Sequence, residues 1–87
     1  MVFVYIIYSA SRDRYYTGIS ANLEDRLKRH NEGRSKATKS GKPWILKYYK
    51  AFETRPEAYQ REQEIKRMKS RKYIEELIAL FDTEDPA

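Results

Sequence analysis

Glu62 sits where a surface helix seldom puts an acid. In the stretch EAYQREQEIK, residues 57–66, a helical turn of about 100° per residue sets it about 40° from Ala58 and about 60° from Ile65. That is the edge of the apolar side, where an ionised carboxylate is costly unless it is paired or holds a metal. Lys66, one turn on, offers a purely structural pairing; a metal ion is the chemical alternative. Arg26 and His30, in NLEDRLKRHN, are also one turn apart and lie close to the stripe made by Leu23 and Leu27. An arginine there can simply snorkel, and a histidine can close a helix end. A lone histidine is weak evidence for catalysis; a stronger case needs separate segments to converge. Tyr5 and Tyr16, with ten residues between them, either pack a sheet or present two hydroxyls to the same place.

Several chemistries are excluded by what is missing. His30 is the only histidine and no nucleophile elbow is present, which leaves serine catalysis without its parts. Core-facing positions offer a single acid, Glu62, too few for a two-metal nuclease. The three glycines are far apart, so there is no glycine-rich phosphate loop, and the absence of cysteine removes disulfides and thiolate metal sites. Gly18 falls inside a strand, where glycine marks either a strand end or a close approach of backbone or ligand.

These side chains need elements to carry them. Val2 to Tyr8 is apolar on both strand faces, as suits an interior strand. SASRD makes a turn, and Arg14 to Ile19 returns as a second strand, giving an antiparallel hairpin. With the turn centred near Ala10 and Ser11, Tyr5 and Tyr16 are expected about opposite each other on one face. Ser20 or Asn22 caps a helix that ends near Gly33. GRSKATKSGKP is a basic loop with room for a short helical turn. Trp44 to Phe52 reads as a third strand. Thr54-Arg55-Pro56-Glu57 is a capping box with proline in the first turn, opening a helix over about 55–69 with Ala58, Ile65 and Met68 on its apolar side. A last amphipathic helix spans about 71–81. The fold class is therefore α+β: a small three-stranded antiparallel sheet flanked by helices, in the order β-β-α-β-α-α. Residues 1–81 form one domain and 82–87 a flexible acidic tail.

Eighty-seven residues bury only roughly 60% of the surface their unfolded chain exposes. The N-terminus shows no basic lead or cleavage site, and its apolar run is too short to span a bilayer; the expectation is a soluble cytoplasmic protein. The net charge of +5 is unevenly spread. From Arg26 to Lys50 nine basic residues face one acid, Glu32, leaving +8 in that segment. Such a stripe attracts polyanions, nucleic acid above all.

In this order and spacing the residues resemble the GIY-YIG nuclease superfamily, and within it the small stand-alone bacterial, YhbQ-like type. Phe3-Val4-Tyr5 corresponds to the first signature element and Tyr16-Thr17-Gly18 to the second. Arg26 follows ten positions after the second tyrosine, His30 four later, and EAYQREQEIK is similar to the metal-binding helix. The likeness runs from about Val2 to Leu80. Phe3 and Thr17 depart from the name motif, and the late asparagine of some larger relatives has no counterpart.

The resemblance implies hydrolysis of nucleic-acid phosphodiesters with one divalent ion, Mg²⁺ or Mn²⁺, on Glu62. A lone carboxylate suits an ion that keeps most of its waters. Tyr5, Tyr16, Arg26, His30 and Glu62 are the implied catalytic set. Tyr5 would position or deprotonate water, provided cations lower a hydroxyl whose free pKa is near ~10. Gly18, Arg34, Lys36, Lys39, Lys42 and Lys66 would contact the nucleic acid, with DNA the first expectation. The alternative is a non-catalytic nucleic-acid-binding module that uses the basic 26–50 segment, with Trp44 or an exposed tyrosine stacking on bases. A third reading is a protein-interaction domain using Tyr48 or Tyr49.

Overall fold

The computed structural model describes residues 1–84. Its elements run β1 (Val2–Ser9), β2 (Arg14–Ser20), α1 (Leu23–Asn31), a 3-10 turn (Lys39–Gly41), β3 (Trp44–Phe52), α2 (Arg55–Met68) and α3 (Arg71–Glu84). The expected order holds throughout. The acidic end differs, since α3 continues through Asp82 to Glu84; residues 85–87 of the expected tail lie outside the described residues.

The sheet order is β2-β1-β3, antiparallel on both sides. The doubly apolar first segment thus takes the interior position, and Val4, Tyr5, Ile6 and Ile7 are all buried. Its two faces feed two cores. Val4 packs with Ala58 and Ile65 under α2 and α3, while Tyr5 and Ile7 pack with Trp44, Leu23 and Leu27 under α1. The register corrects one expectation. Tyr5 pairs with Gly18 and Tyr16 with Ile7, so the two phenols share a face but are offset diagonally. The turn lies one residue later than assumed, between Ser9 and Arg14. It is closed by Asp13 in the left-handed region (φ 51), which aspartate tolerates better than most residues.

Local rules account for the helix starts. Asn22 accepts from the Asp25 amide, and Thr54 with Glu57 forms the reciprocal capping box, with Pro56 in the first turn. Ala58 and Ile65 are buried as their spacing requires, but Met68 is exposed, because α2 ends there and Lys69 turns left-handed (φ 47). Among the described residues no helix is long and apolar enough to cross a membrane.

Candidate active site

Tyr5 is the centre of the cleft. It sits on the middle strand, 2% exposed, with its hydroxyl 2.8 Å from Nε2 of His30. His30 comes from the last turn of α1 and is itself 1% exposed. Its other nitrogen, Nδ1, lies 2.6 Å from the Thr38 hydroxyl. Tyr16, from β2, places its ring edge-on to the same imidazole, with centroids 5.3 Å apart. A buried chain of hydrogen bonds thus runs from Tyr5 through His30 to Thr38.

Arg26, one helical turn before His30, brings its guanidinium close enough to act on the Tyr5 hydroxyl. Among the described residues its Nε is the one buried side-chain polar atom without a hydrogen-bond partner. A buried donor left unmet costs free energy, and it is a donor an incoming phosphate oxygen can satisfy.

Glu62 is 7% exposed on α2, and its charge also reaches Tyr5. Oε2 pairs with Lys66 at 3.2 Å, and Oε1 accepts a long bond of 3.4 Å from Gln63. The structural pairing with Lys66 is therefore real. Yet the Lys66 ammonium also lies 5.9 Å from the Tyr16 ring centroid, so the Glu62–Lys66 pair borders that phenol. Among the described residues no three metal-ligating side chains cluster. One lone, nearly buried carboxylate with a weakly held oxygen fits an ion that keeps most of its water and takes ligands from substrate.

The electrostatics correct the expectation for Tyr5. Burial pushes its hydroxyl well above the usual tyrosine range; Tyr16 and Glu62 push the same way, and Arg26 offsets only part. Tyr5 is a neutral hydroxyl at pH 7, not a standing phenolate. Burial pushes His30 below the usual histidine range, and Arg26 and Arg29 add to this. His30 is therefore a neutral imidazole, with one nitrogen for Tyr5 and one for Thr38.

The close approach expected at Gly18 is to Tyr5. A Cβ there would stand 2.6 Å from the Tyr5 hydroxyl oxygen. Gly18 is itself buried, so it makes room for a site residue rather than offering backbone to a ligand. Arg34, Lys36, Lys39 and Lys42 lie on the segment after α1, where Arg34 is paired to Glu32 at 3.0 Å. Trp44 is not free to stack on bases. It is 6% exposed, and its indole N–H donates to the Thr38 carbonyl. Tyr48 is also buried, whereas Tyr49 is exposed; both pack edge-on against Phe81.

Thr38 is the residue sequence reasoning missed. It lies in a stretch with no hydrophobic period, yet it is 1% exposed. The loop is pinned around it. Asn31 bonds both the amide and the carbonyl of Trp44, and Gly41 lies where any side chain would strike the indole. The signal was faint: one tryptophan, one asparagine at a helix end and one glycine, each needed for a close contact.

A family model described as the GIY-YIG catalytic domain matches residues 1–74. A UPF0213 protein of Staphylococcus haemolyticus is 40% identical over 78 residues, which cover 85% of this chain and 94% of that protein. A UPF0213 protein of Staphylococcus aureus is 42% identical over 65 residues, 74% of this chain and 78% of that protein. Among solved structures, the NMR structure of a UPF0213 protein from Bacillus halodurans is similar, with a TM-score of 0.58 and 33% identity. The match covers 92% of this chain and 85% of that one.

Proposed function

Because the chain belongs to the GIY-YIG catalytic-domain family, in its small bacterial UPF0213 branch, we propose that it is an endonuclease. It would hydrolyse nucleic-acid phosphodiesters, with weak sequence preference or guided by substrate structure, using one divalent ion. The observation that carries this is convergence. Tyr5 from the middle strand, Tyr16 from the edge strand, Arg26 and His30 from the first helix and Glu62 from the second act on one another. Packing alone gives no reason for a half-buried arginine whose Nε is buried and unmet beside two phenols and a carboxylate.

Each residue then has a task. Arg26 turns its unmet donor to the scissile phosphate and holds it as charge builds on the equatorial oxygens. Tyr5 orients the attacking water. As the water oxygen bonds to phosphorus, its proton passes to the Tyr5 oxygen, and the Tyr5 proton passes to Nε2 of His30. The bond from phosphorus to the 3′ oxygen breaks, and that oxygen keeps the bonding electron pair and takes a proton from bulk water. Thr38 accepts from Nδ1–H, which leaves Nε2 as the basic nitrogen. Negative charge from the bound phosphate favours the imidazolium and offsets the repulsion from Arg26 and Arg29. Tyr16 positions the phosphate against the imidazole edge. Glu62 would hold hydrated Mg²⁺ or Mn²⁺, which supplies charge stabilisation at the leaving oxygen.

The test is a cleavage screen over single-stranded, duplex, flapped and RNA substrates, with Mg²⁺, Mn²⁺ or EDTA. Nicking that needs the metal and disappears in Glu62→Ala is the expected result. Salt-sensitive binding with no cleavage under any metal would instead leave a nucleic-acid-binding module based on the basic 26–50 segment.

A further inference from the structure

A groove of about 430 Å³ opens directly beside the catalytic cleft, between β2 and the junction of α2 with α3. Its size falls within the ~300–1,000 Å³ range of small-ligand sites. Ile65, Ile74, Tyr15 and Tyr16 line it, with Ile65 buried beneath and Ile74 and the two tyrosines half-exposed. Tyr16 and Lys66 line the groove and also touch the cleft residues: Lys66 pairs with Glu62 and lies over the Tyr16 ring, and Tyr16 packs edge-on to His30. The groove begins where the cleft ends.

Its charges divide into paired and free. Arg71 is held by Asp13 at 2.6 Å and by Glu75 at 3.2 Å, and Lys66 by Glu62. Arg14 and Lys69 also line the groove, are exposed and make no ion pair among the described residues. Asp13 is the one lining acid, and Arg71 already neutralises it. An apolar lining beside two unpaired cations suits a ligand with a flat, weakly hydrated part and an anionic part. A nucleotide has both. An acidic peptide would satisfy the cations but would have no need of continuity with a phosphodiester cleft.

We propose that this groove is a nucleotide subsite for the strand being cut. The base adjoining the scissile phosphodiester leaves its stack and lies against Ile74 and the tyrosines, above Ile65, and the next phosphate is held by Arg14 and Lys69. This rests on the nuclease reading of the cleft. It also sets the substrate: one base beside the cut must be unpaired, so a continuous duplex has to open a pair before it is cleaved.

Two measurements on the full chain test the subsite. The first follows the Ile65 and Ile74 methyl resonances in EDTA as a short oligothymidine is added, then an abasic deoxyribose-phosphate chain of equal length. Both methyls shift with oligothymidine and move much less with the abasic chain. The second walks a single abasic position along a cleavable single strand. One position, next to the cut, lowers kcat/KM by roughly tenfold, the scale of removing one base from an aromatic stack. Lys69→Glu weakens binding and lowers the salt slope by about one. Methyls that stay put at saturation, or shift equally with the abasic chain, overturn the proposal. So does a flat abasic walk on a substrate that is otherwise cut. If nothing is cut, the nuclease reading falls, and the methyl shifts alone decide the groove.

Discussion

At the scale of single residues, the site depends on space and protons as much as on charge. Gly18 is present because a Cβ would stand 2.6 Å from the Tyr5 hydroxyl oxygen and 2.8 Å from its ring carbon Cζ. Gly18→Ala should destabilise the fold by about 1–3 kcal/mol, read by urea unfolding. Combined with Tyr5→Phe it should lose less than the two single losses added together, since the closest clash is gone. Tyr5→Phe alone keeps the packing and should lower cleavage by about 10²-fold or more, as removal of a proton-transfer group does. Thr38 acts one bond further out, through the imidazole. Thr38→Val should lower kcat roughly tenfold, equivalent to a buried hydrogen bond of ~1.5 kcal/mol, and leave KM unchanged. It should also shift the His30 tautomer seen by ¹⁵N chemical shifts, and Thr38→Ser should restore both. His30 further predicts a pH effect. Its folded pKa is lowered by burial and by Arg26 and Arg29, so the unfolded chain binds more protons below its ordinary value of about 6.5. Stability should be full above that pH and fall as the pH drops below it. Thermal unfolding of His30→Gln should lack this slope.

At the scale of elements, each signature segment does one positioning task. The middle strand delivers Tyr5, the hairpin brings Tyr16 to the same face, α1 carries Arg26 and His30, and α2 carries Glu62. Most of this was legible because it follows short-range rules. The doubly apolar run marked the central strand, the capping box fixed the start of α2, and one-turn spacings set Arg26 beside His30 and Glu62 beside Lys66. Thr54→Ala should therefore weaken the fold by about 1 kcal/mol in denaturant unfolding. What stayed hidden depends on long-range packing. The Tyr5–Gly18 register follows from a turn one residue off the assumed centre. The burial of Trp44 and Thr38 comes from a loop pinned by Asn31, which no periodicity reveals. The exposure of Met68 reflects where α2 happens to end. The raised Tyr5 hydroxyl, too, is a product of burial by a strand, a helix and a loop together, not of any local pattern.

At the scale of the whole molecule, charge and shape point the same way. The basic stretch after α1 displays Lys39 and Lys42 to solvent, away from the buried hydrogen-bond chain that Thr38 anchors. Replacing Lys36, Lys39 and Lys42 together with alanine should weaken binding to single-stranded nucleic acid. The slope of log K against log salt should fall by about 0.7 for each phosphate that is no longer neutralised, while kcat at saturation stays near the wild-type value. The groove and the cleft meet at Tyr16 and Lys66, so a strand that spans both would pass from one to the other without a gap. The most direct test of the account is single-turnover cleavage by the wild type, Arg26→Ala, Glu62→Ala and the double variant, side by side. Residues that act on one phosphate as a unit are non-additive, so each single change should bring the rate to background and the double variant should fall no further. Undiminished cleavage by Glu62→Ala, or independent partial losses that multiply in the double variant, would contradict a single shared site.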